Sequence, residues 1–258
     1  MKNKTKRAEL KREAVSGCYF FRTFKKHRAI AAFSTRRFKI NFNSGGKDSV
    51  TIAHRRLFCQ FMGLPFERVV GLEQVHGANI VRIGQTEAGK GSRSSLTALK
   101  GSDAAITDKP GLVLTIRTAD CAPLFFLDPK RRAIGIAHVG WRGASERLAS
   151  KMVQAIRRQF LSRPEDLIVG IGPMIRPCCY QVGPEFQGVF GAFIEKRESG
   201  LYFDLIGWIY DELSSEGISR AQIYDSFFCT SCSNDLFPSY RKEGNKVRHM
   251  WSVLALRK

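Results

Sequence analysis

The chain has 258 residues, of which 43% are hydrophobic, 11% aromatic and 25% charged, an ordinary globular composition at a length that can close a core without disulfide staples. No stretch nears the roughly 18 consecutive apolar residues of a transmembrane helix, and 19 Phe with 3 Trp exclude disorder of the whole. The outlier is charge: 42 Lys and Arg against 23 Asp and Glu give a formal +19, which points first to a polyanionic partner or to phosphate-bearing substrates.

Much of that charge lies at the start. Residues 1–28 hold ten Lys and Arg against Glu9 and Glu13, so they read as a basic N-terminal extension, solvated or frayed, ahead of a single domain over 29–258. The remaining +11 is spread without a Lys/Arg block, so nucleic-acid binding is not indicated. The apolar run at 29–33 is too short for a signal-peptide core, and Glu9 and Glu13 argue against a mitochondrial transit peptide. The seven cysteines are odd in number and irregular in spacing, which favours thiols in a reducing cytoplasm over a secreted disulfide framework.

Along the chain, residues 50–62 read as an amphipathic helix stopped by Gly63-Leu64-Pro65. The polar stretch from Gly84 to Gly101 reads as a surface loop containing a helical turn. Strands are expected at Ala104–Thr107, Leu112–Thr115, Pro123–Leu127, Ala133–Ala137 and Leu167–Ile171, with helices at 144–160 and Leu205–Glu216. Helices and strands mix without strict βαβ alternation, which predicts a single α+β or mixed α/β domain.

Two histidines sit in unusual settings: His76 in Glu73-Gln74-Val75-His76-Gly77, and His138 opening His138-Val139-Gly140-Trp141-Arg142-Gly143 at the end of a strand. A hairpin pairing 123–127 with 133–137 brings Cys121 and His138 to one end. Three readings fit these residues. Cys121, His76 and His138 supply the three protein ligands of an open zinc; Cys121 is a nucleophile with His138 as its base; or all three are ordinary buried side chains. Cys229-Thr230-Ser231-Cys232 is a C-x-x-C lacking a second pair at zinc-ribbon spacing, so it reads as two thiols rather than a structural zinc clip. The vicinal Cys178-Cys179 reads as packing in a tight loop.

At these residues the chain resembles the YfiH/laccase-domain family. The resemblance runs from about Phe33 to Leu256 through nine elements in order: Phe33-Ser34-Thr35-Arg36, Gln74-Val75-His76-Gly77, Ser102 to Thr107, Thr118 to Pro123, His138 to Gly143, Ile171-Gly172-Pro173, Cys178 to Gly183, Cys229-Thr230 and Ser239-Tyr240-Arg241. It implies a layered α/β/β/α fold and zinc ligands His76, Cys121 and His138. It also implies phosphorolysis of adenosine, inosine, guanosine and methylthioadenosine, with adenosine deamination. Older descriptions of the family as copper polyphenol oxidases, and a link of some members to editing of peptidoglycan precursors, imply copper or a Cys/His hydrolase or amidase as alternatives. The chain departs from the family where Arg36 runs into Arg37-Phe38-Lys39-Ile40-Asn41 instead of a Gly-Gly-Val-Ser-like segment, near the expected substrate loop, and at Val247-Arg248.

The expected partners are therefore purine nucleosides and phosphate, without a membrane. A phosphate dianion calls for bidentate arginines, for which Arg36, Arg55, Arg142 and Arg241 are the candidates. Asp120, beside Cys121, is a candidate to orient a ligand or carry a proton, so the expected catalytic set is Cys121, Asp120 and Arg142.

Overall fold

A computed structural model describes residues 10–13, 17–41 and 48–257. Two six-stranded sheets stack face to face. In spatial order the first runs Leu10–Glu13, Cys18–Phe21, Ala29–Ser34, Met250–Leu256, Val113–Thr118 and Val69–Gly71, antiparallel except for the last pair. The second runs Ile223–Asp225, Ile168–Ile171, Ala122–Asp128, Ala133–Val139, Ala104–Thr107 and Ile80–Arg82, antiparallel in the middle with a parallel strand at each edge. Gln181–Val182, Gly200–Phe203 and Ile194–Arg197 form a small third sheet.

The two-residue period of a strand explains the layering. In Ala122–Asp128, Phe125 and Leu127 point between the sheets, where Phe21, Phe33, Leu114 and Leu254 meet them. Leu124 and Phe126 point to the other face, against Met152 and Ile156 of the helix Leu148–Phe160 and Ile209 of the helix Leu205–Ser215. The outer face of the first sheet is covered by Ser49–Met62, whose Phe58, Cys59 and Met62 pack on Ile30, Val113 and Trp251. The result is the expected α/β/β/α stack. Because the strands are buried on both faces, they read as unbroken apolar runs rather than alternating ones. No described helix is long and apolar enough to cross a membrane.

Most expected elements are present with shifted ends. The helix 50–62 spans Ser49–Met62, capped by the Asp48 carboxylate at its start and by left-handed Gly63 at its end. Leu205–Glu216 ends at Ser215, and the polar stretch 84–101 is a loop with short turns at Gln85–Glu87 and Ser95–Thr97. The strand expected at Leu112–Thr115 is Val113–Thr118, because its ladder with Met250–Leu256 continues to the pair Met250 and Thr118.

Two expectations are corrected. The helix expected over 144–160 is two, Trp141–Ser145 and Leu148–Phe160, broken by the left-handed backbone of Arg147 at φ 59°. Of the basic head expected to be frayed over 1–28, Leu10–Glu13 and Cys18–Phe21 are strands of the first sheet and Arg22–Lys26 is a short helix. Phe21 and Phe24 are buried, and the exposed charges of Arg22, Lys25 and Lys26 lie on that helix. Within that head, Lys2, Lys4, Lys6, Arg7 and Glu9 lie outside the described residues.

Phe125 joins the two sheets, wholly buried and edge-on to Phe21 at 5.8 Å between ring centroids. Phe125→Ala is expected to lower stability by about 3–5 kcal/mol through lost burial and the cavity left behind. Urea unfolding should show this as a lower midpoint at unchanged slope.

Candidate active site

The hairpin forms as the sequence suggests: Pro123 pairs with His138 and Ala122 with Val139, which sets Cys121 at the hairpin's open end beside Gly140. On the other side, Ala104 pairs with Ala137, so Asp103 stands next to His138. The Asp103 carboxylate is completely buried and accepts from His138 Nδ1 at 2.7 Å. It also accepts from three successive backbone amides, those of Val75 at 3.1 Å, His76 at 3.0 Å and Gly77 at 2.8 Å. These bonds bend the loop through His76, whose φ is 62°, and swing its ring to 4.8 Å from that of His138. His76, Cys121 and His138 thus present one imidazole or thiol donor each, all within 4.8 Å of one another.

Two glycines permit this approach. A Cβ on Gly140 would sit 2.9 Å from Cys121 Sγ, and one on Gly143 would sit 3.1 Å from the carbonyl oxygen of Gly77. A second clamp holds the same loop: the Gln74 amide donates to the Arg117 carbonyl at 2.7 Å and accepts from the Arg117 amide at 2.8 Å, imitating a strand partner.

The electrostatics favour charge separation at the cluster. Burial opposes ionisation of Cys121, but the charge and hydrogen bond of His138, with His76, outweigh it and hold the thiol below its ordinary value. Burial likewise opposes protonation of His138, and is overcome by Cys121 and Asp103, which raise it. For Asp103, the bonds from His138 and the amides of Gly77 and Val75 overcome burial and keep it below the usual carboxylate range. The opposite holds for His249 across the cavity: burial, then repulsion from Arg117, His138 and His76, push it down to about 4.

The cluster is the floor of a cavity of about 580 Å³. Of the expected phosphate ligands, Arg142 and Arg241 line it, and Arg117 joins them. Trp141, Tyr180 and Tyr240 supply aromatic surface, with the Arg142 guanidinium 4.6 Å from the Trp141 ring centre. Asp120 also lines the cavity, but both its oxygens are engaged. They accept from the Thr230 hydroxyl at 2.5 Å and the Arg241 amide at 2.7 Å, so Asp120 anchors the wall that carries Arg241.

Arg36 and Arg55, expected to bind phosphate, are not brought to this cavity. Arg36 pairs with Glu243 at 2.8 Å and donates to the Asn234 carbonyl at 2.6 Å, tying the end of the strand Ala29–Ser34 to the segment 234–243. Arg55, 3% exposed, donates to the carbonyls of Ile40 and Gly91, each at 2.9 Å, and lies over the Trp251 ring. Burial brings its guanidinium down to about 9. Sequence spacing cannot tell a guanidinium that closes backbone ends from one that faces a cavity. The unusual segment after Arg36 likewise serves packing: Phe38 and Ile40 are buried beneath Ser49–Met62, and Asn41 reaches His249 Nδ1 at 2.6 Å. Residues 42–47 of the adjoining loop lie outside the described residues. Val247, at the second departure, lines the cavity.

Sequence reasoning passed over Asp103, Arg117 and His249. Arg117 left a signal, being the single charged residue in the strand Val113–Thr118, and Asp103 left another as the acid just before Ala104–Thr107. His249 left none. The cysteines need a further correction. Cys178, Cys179, Cys229 and Cys232, read as two unrelated thiol pairs, bring all four sulfurs within 4.8 Å of one another.

Asp103→Asn leaves too few acceptors for four donors and loses the charge beside His138. Divalent-metal affinity at the His76–Cys121–His138 cluster should fall about 10- to 100-fold. Competition against a metal-responsive chelator measures this.

Residues 21–257 match the family model described as multi-copper polyphenol oxidoreductase laccase. The chain is 33% identical over 215 residues to the purine nucleoside phosphorylase YlmD of Geobacillus stearothermophilus, covering 80% of this chain and 78% of that protein. The crystal structure of YlmD from Geobacillus stearothermophilus superposes with a TM-score of 0.90 at 29% identity, covering 97% of this chain and 99% of the other. That of the Bacillus licheniformis hypothetical protein YfiH gives 0.89 at 28% identity, over 96% and 99%.

Proposed function

This chain belongs to the multi-copper polyphenol oxidoreductase laccase family, and from that membership we propose that it is a zinc-dependent purine nucleoside phosphorylase. It would act on adenosine, inosine, guanosine and methylthioadenosine, with adenosine deamination at the same centre. One observation carries the reading: Arg117, Arg142 and Arg241 line a cavity whose floor is a cysteine sulfur and two imidazoles. The similarity to proteins named purine nucleoside phosphorylase supports it.

The donor set fits zinc. Two imidazoles and one thiolate are the three protein ligands of a catalytic zinc with one open position, and the bond from His138 Nδ1 to Asp103 leaves Nε2 of that ring for the metal. Zinc bound there supplies Lewis-acid polarisation of a purine ring atom or of water. A multi-copper centre needs more imidazoles than this. Among the described residues, the other group that could hold a metal contains cysteines alone.

Phosphorolysis forms a bond from a phosphate oxygen to the anomeric carbon of the ribose as the bond to the purine nitrogen breaks. The bonding pair leaves with the base, which takes up a proton. Arg142 and Arg241 offer planar forks for the phosphate dianion, and Arg117 adds positive potential from a position withdrawn from solvent. The rings of Trp141, Tyr180 and Tyr240 give the purine an apolar face to lie on.

A second reading has its own observation. Cys121, His138 and Asp103 stand in the order of a nucleophile, its base and the base's orienting carboxylate, which suits a hydrolase or amidase, for instance one editing peptidoglycan precursors. Inosine separates the two. The phosphorylase should release hypoxanthine with ribose 1-phosphate at a rate that rises with added phosphate. Arg142→Lys should raise the apparent phosphate KM roughly 10-fold, since an ammonium lacks the bidentate fork, with metal content unchanged. Free ribose without phosphate dependence, or rapid alkylation of Cys121 in the metal-replete protein, overturns the phosphorylase in favour of the hydrolase.

A further inference from the structure

We propose that Cys178, Cys179, Cys229 and Cys232 form a second metal site, a tetrathiolate that binds one zinc ion and clips together two loops behind the cavity wall. The sulfur positions carry the inference. Cys178 Sγ lies 3.6 Å from Cys232 Sγ, Cys179 Sγ lies 3.4 Å from it, and all four sulfurs fall within 4.8 Å of one another. A zinc–sulfur bond of about 2.3 Å gives a tetrahedron with edges of about 3.8 Å, close to what the four sulfurs already span. None of the four is in a disulfide.

The backbone explains how two pairs far apart in sequence converge. Met174 and Cys229 form an isolated parallel bridge, and the Thr230 amide donates to the Met174 carbonyl at 3.0 Å. Each loop then turns back on itself. The amides of Cys179 and Tyr180 both donate to the Arg176 carbonyl at 2.9 Å, and the Ser233 amide donates to that of Cys229 at 2.9 Å. The first turn sends the sulfurs of both adjacent residues, Cys178 and Cys179, toward Cys232. Arg176 and Arg197 lie within electrostatic reach of Cys229 and Cys178 and offset part of the negative charge of four thiolates. Four sulfur donors select zinc over oxygen-seeking cations.

The clip has a purpose in the fold. One loop carries Ile175 and Tyr180 to the cavity, and the other leads to Tyr240 and Arg241. Thr230, inside the Cys229–Cys232 turn, donates to Asp120, which in turn holds the Arg241 amide. A metal at the sulfurs therefore braces the cavity wall opposite the His76–Cys121–His138 floor, whatever substrate the cavity accepts.

The test uses the full-length chain and the metal alone. Loaded with cobalt in place of zinc, His76→Ala/His138→Ala should retain the intense thiolate-to-cobalt absorption of a four-sulfur tetrahedral site, and Cys178→Ser/Cys232→Ser should lose it. In zinc-loaded protein the cysteine variant should hold about one equivalent less than the parent chain. This outcome is independent of the phosphorylase reading, because it is read in a variant whose cavity floor is dismantled. Should the cysteine variant fail to fold, the parent chain still decides: exposed Cys178 and Cys232 should resist iodoacetamide until a chelator is added. Their rapid alkylation in zinc-replete protein, or a disulfide among the four in the peptide map, overturns the proposal.

Discussion

One buried carboxylate, that of Asp103, sets the geometry of the candidate site. It takes a hydrogen bond from His138 and three from the loop that carries His76, so a single side chain aims two of the three members of the cluster. A carboxylate without solvent is costly unless its lone pairs are filled, and here the backbone fills them. The same bonds force His76 into a left-handed conformation that the free loop would not choose. The stacked sheets serve as the rigid frame for this contact. The pairing of Ala104–Thr107 with Ala133–Val139 puts Asp103 beside His138 to within a hydrogen bond, and the hairpin partner Ala122–Asp128 delivers Cys121.

Charge is organised around that floor rather than spread at random. The chain's basic excess invites a reading as a binder of polyanions, yet several of its arginines serve the fold. Arg55 fills carbonyl acceptors under Trp251, Arg36 joins residues near the start of the domain to Asn234 and Glu243, and Arg176 is paired with Asp225. The arginines that line the cavity come from a strand and two short helices, and they converge only in three dimensions. Asp120, expected to orient a ligand or carry a proton, has its oxygens committed to Thr230 and Arg241, which makes it a brace for the wall.

Much of the frame was legible in the order of residues. Apolar runs broken by Asp-Pro and Pro-Gly turns mark the central strands, because a strand buried on both faces has no polar alternative. Helices with one apolar stripe and a glycine or proline stop are similarly local. His76 and His138 stand near glycines that signal close backbone approach, and together with Cys121 they could be named in advance because the motifs that hold them follow the order of a known family. Elements that depend on a distant partner were harder to read. Met250–Leu256 reads as an apolar run, but nothing local places it at the centre of a sheet, since its neighbours lie more than 130 positions upstream.

The sequence by itself determined the class of fold, the His–Cys–His donor set and the basic character of the chain. The fold class and the charge follow from residue types and short spacings, which act locally. The donor set rests on the resemblance carried by the ordered motifs, since spacing alone left a metal site, a nucleophile with its base and ordinary buried side chains open. Tertiary structure alone decided which arginines face the cavity, that Asp103 joins two loops, and that four cysteines in two separate segments meet. Each of those depends on strand register and loop closure, where a shift of one residue turns a side chain to the opposite face. Their cause is long-range pairing, and no local pattern of residue types encodes it.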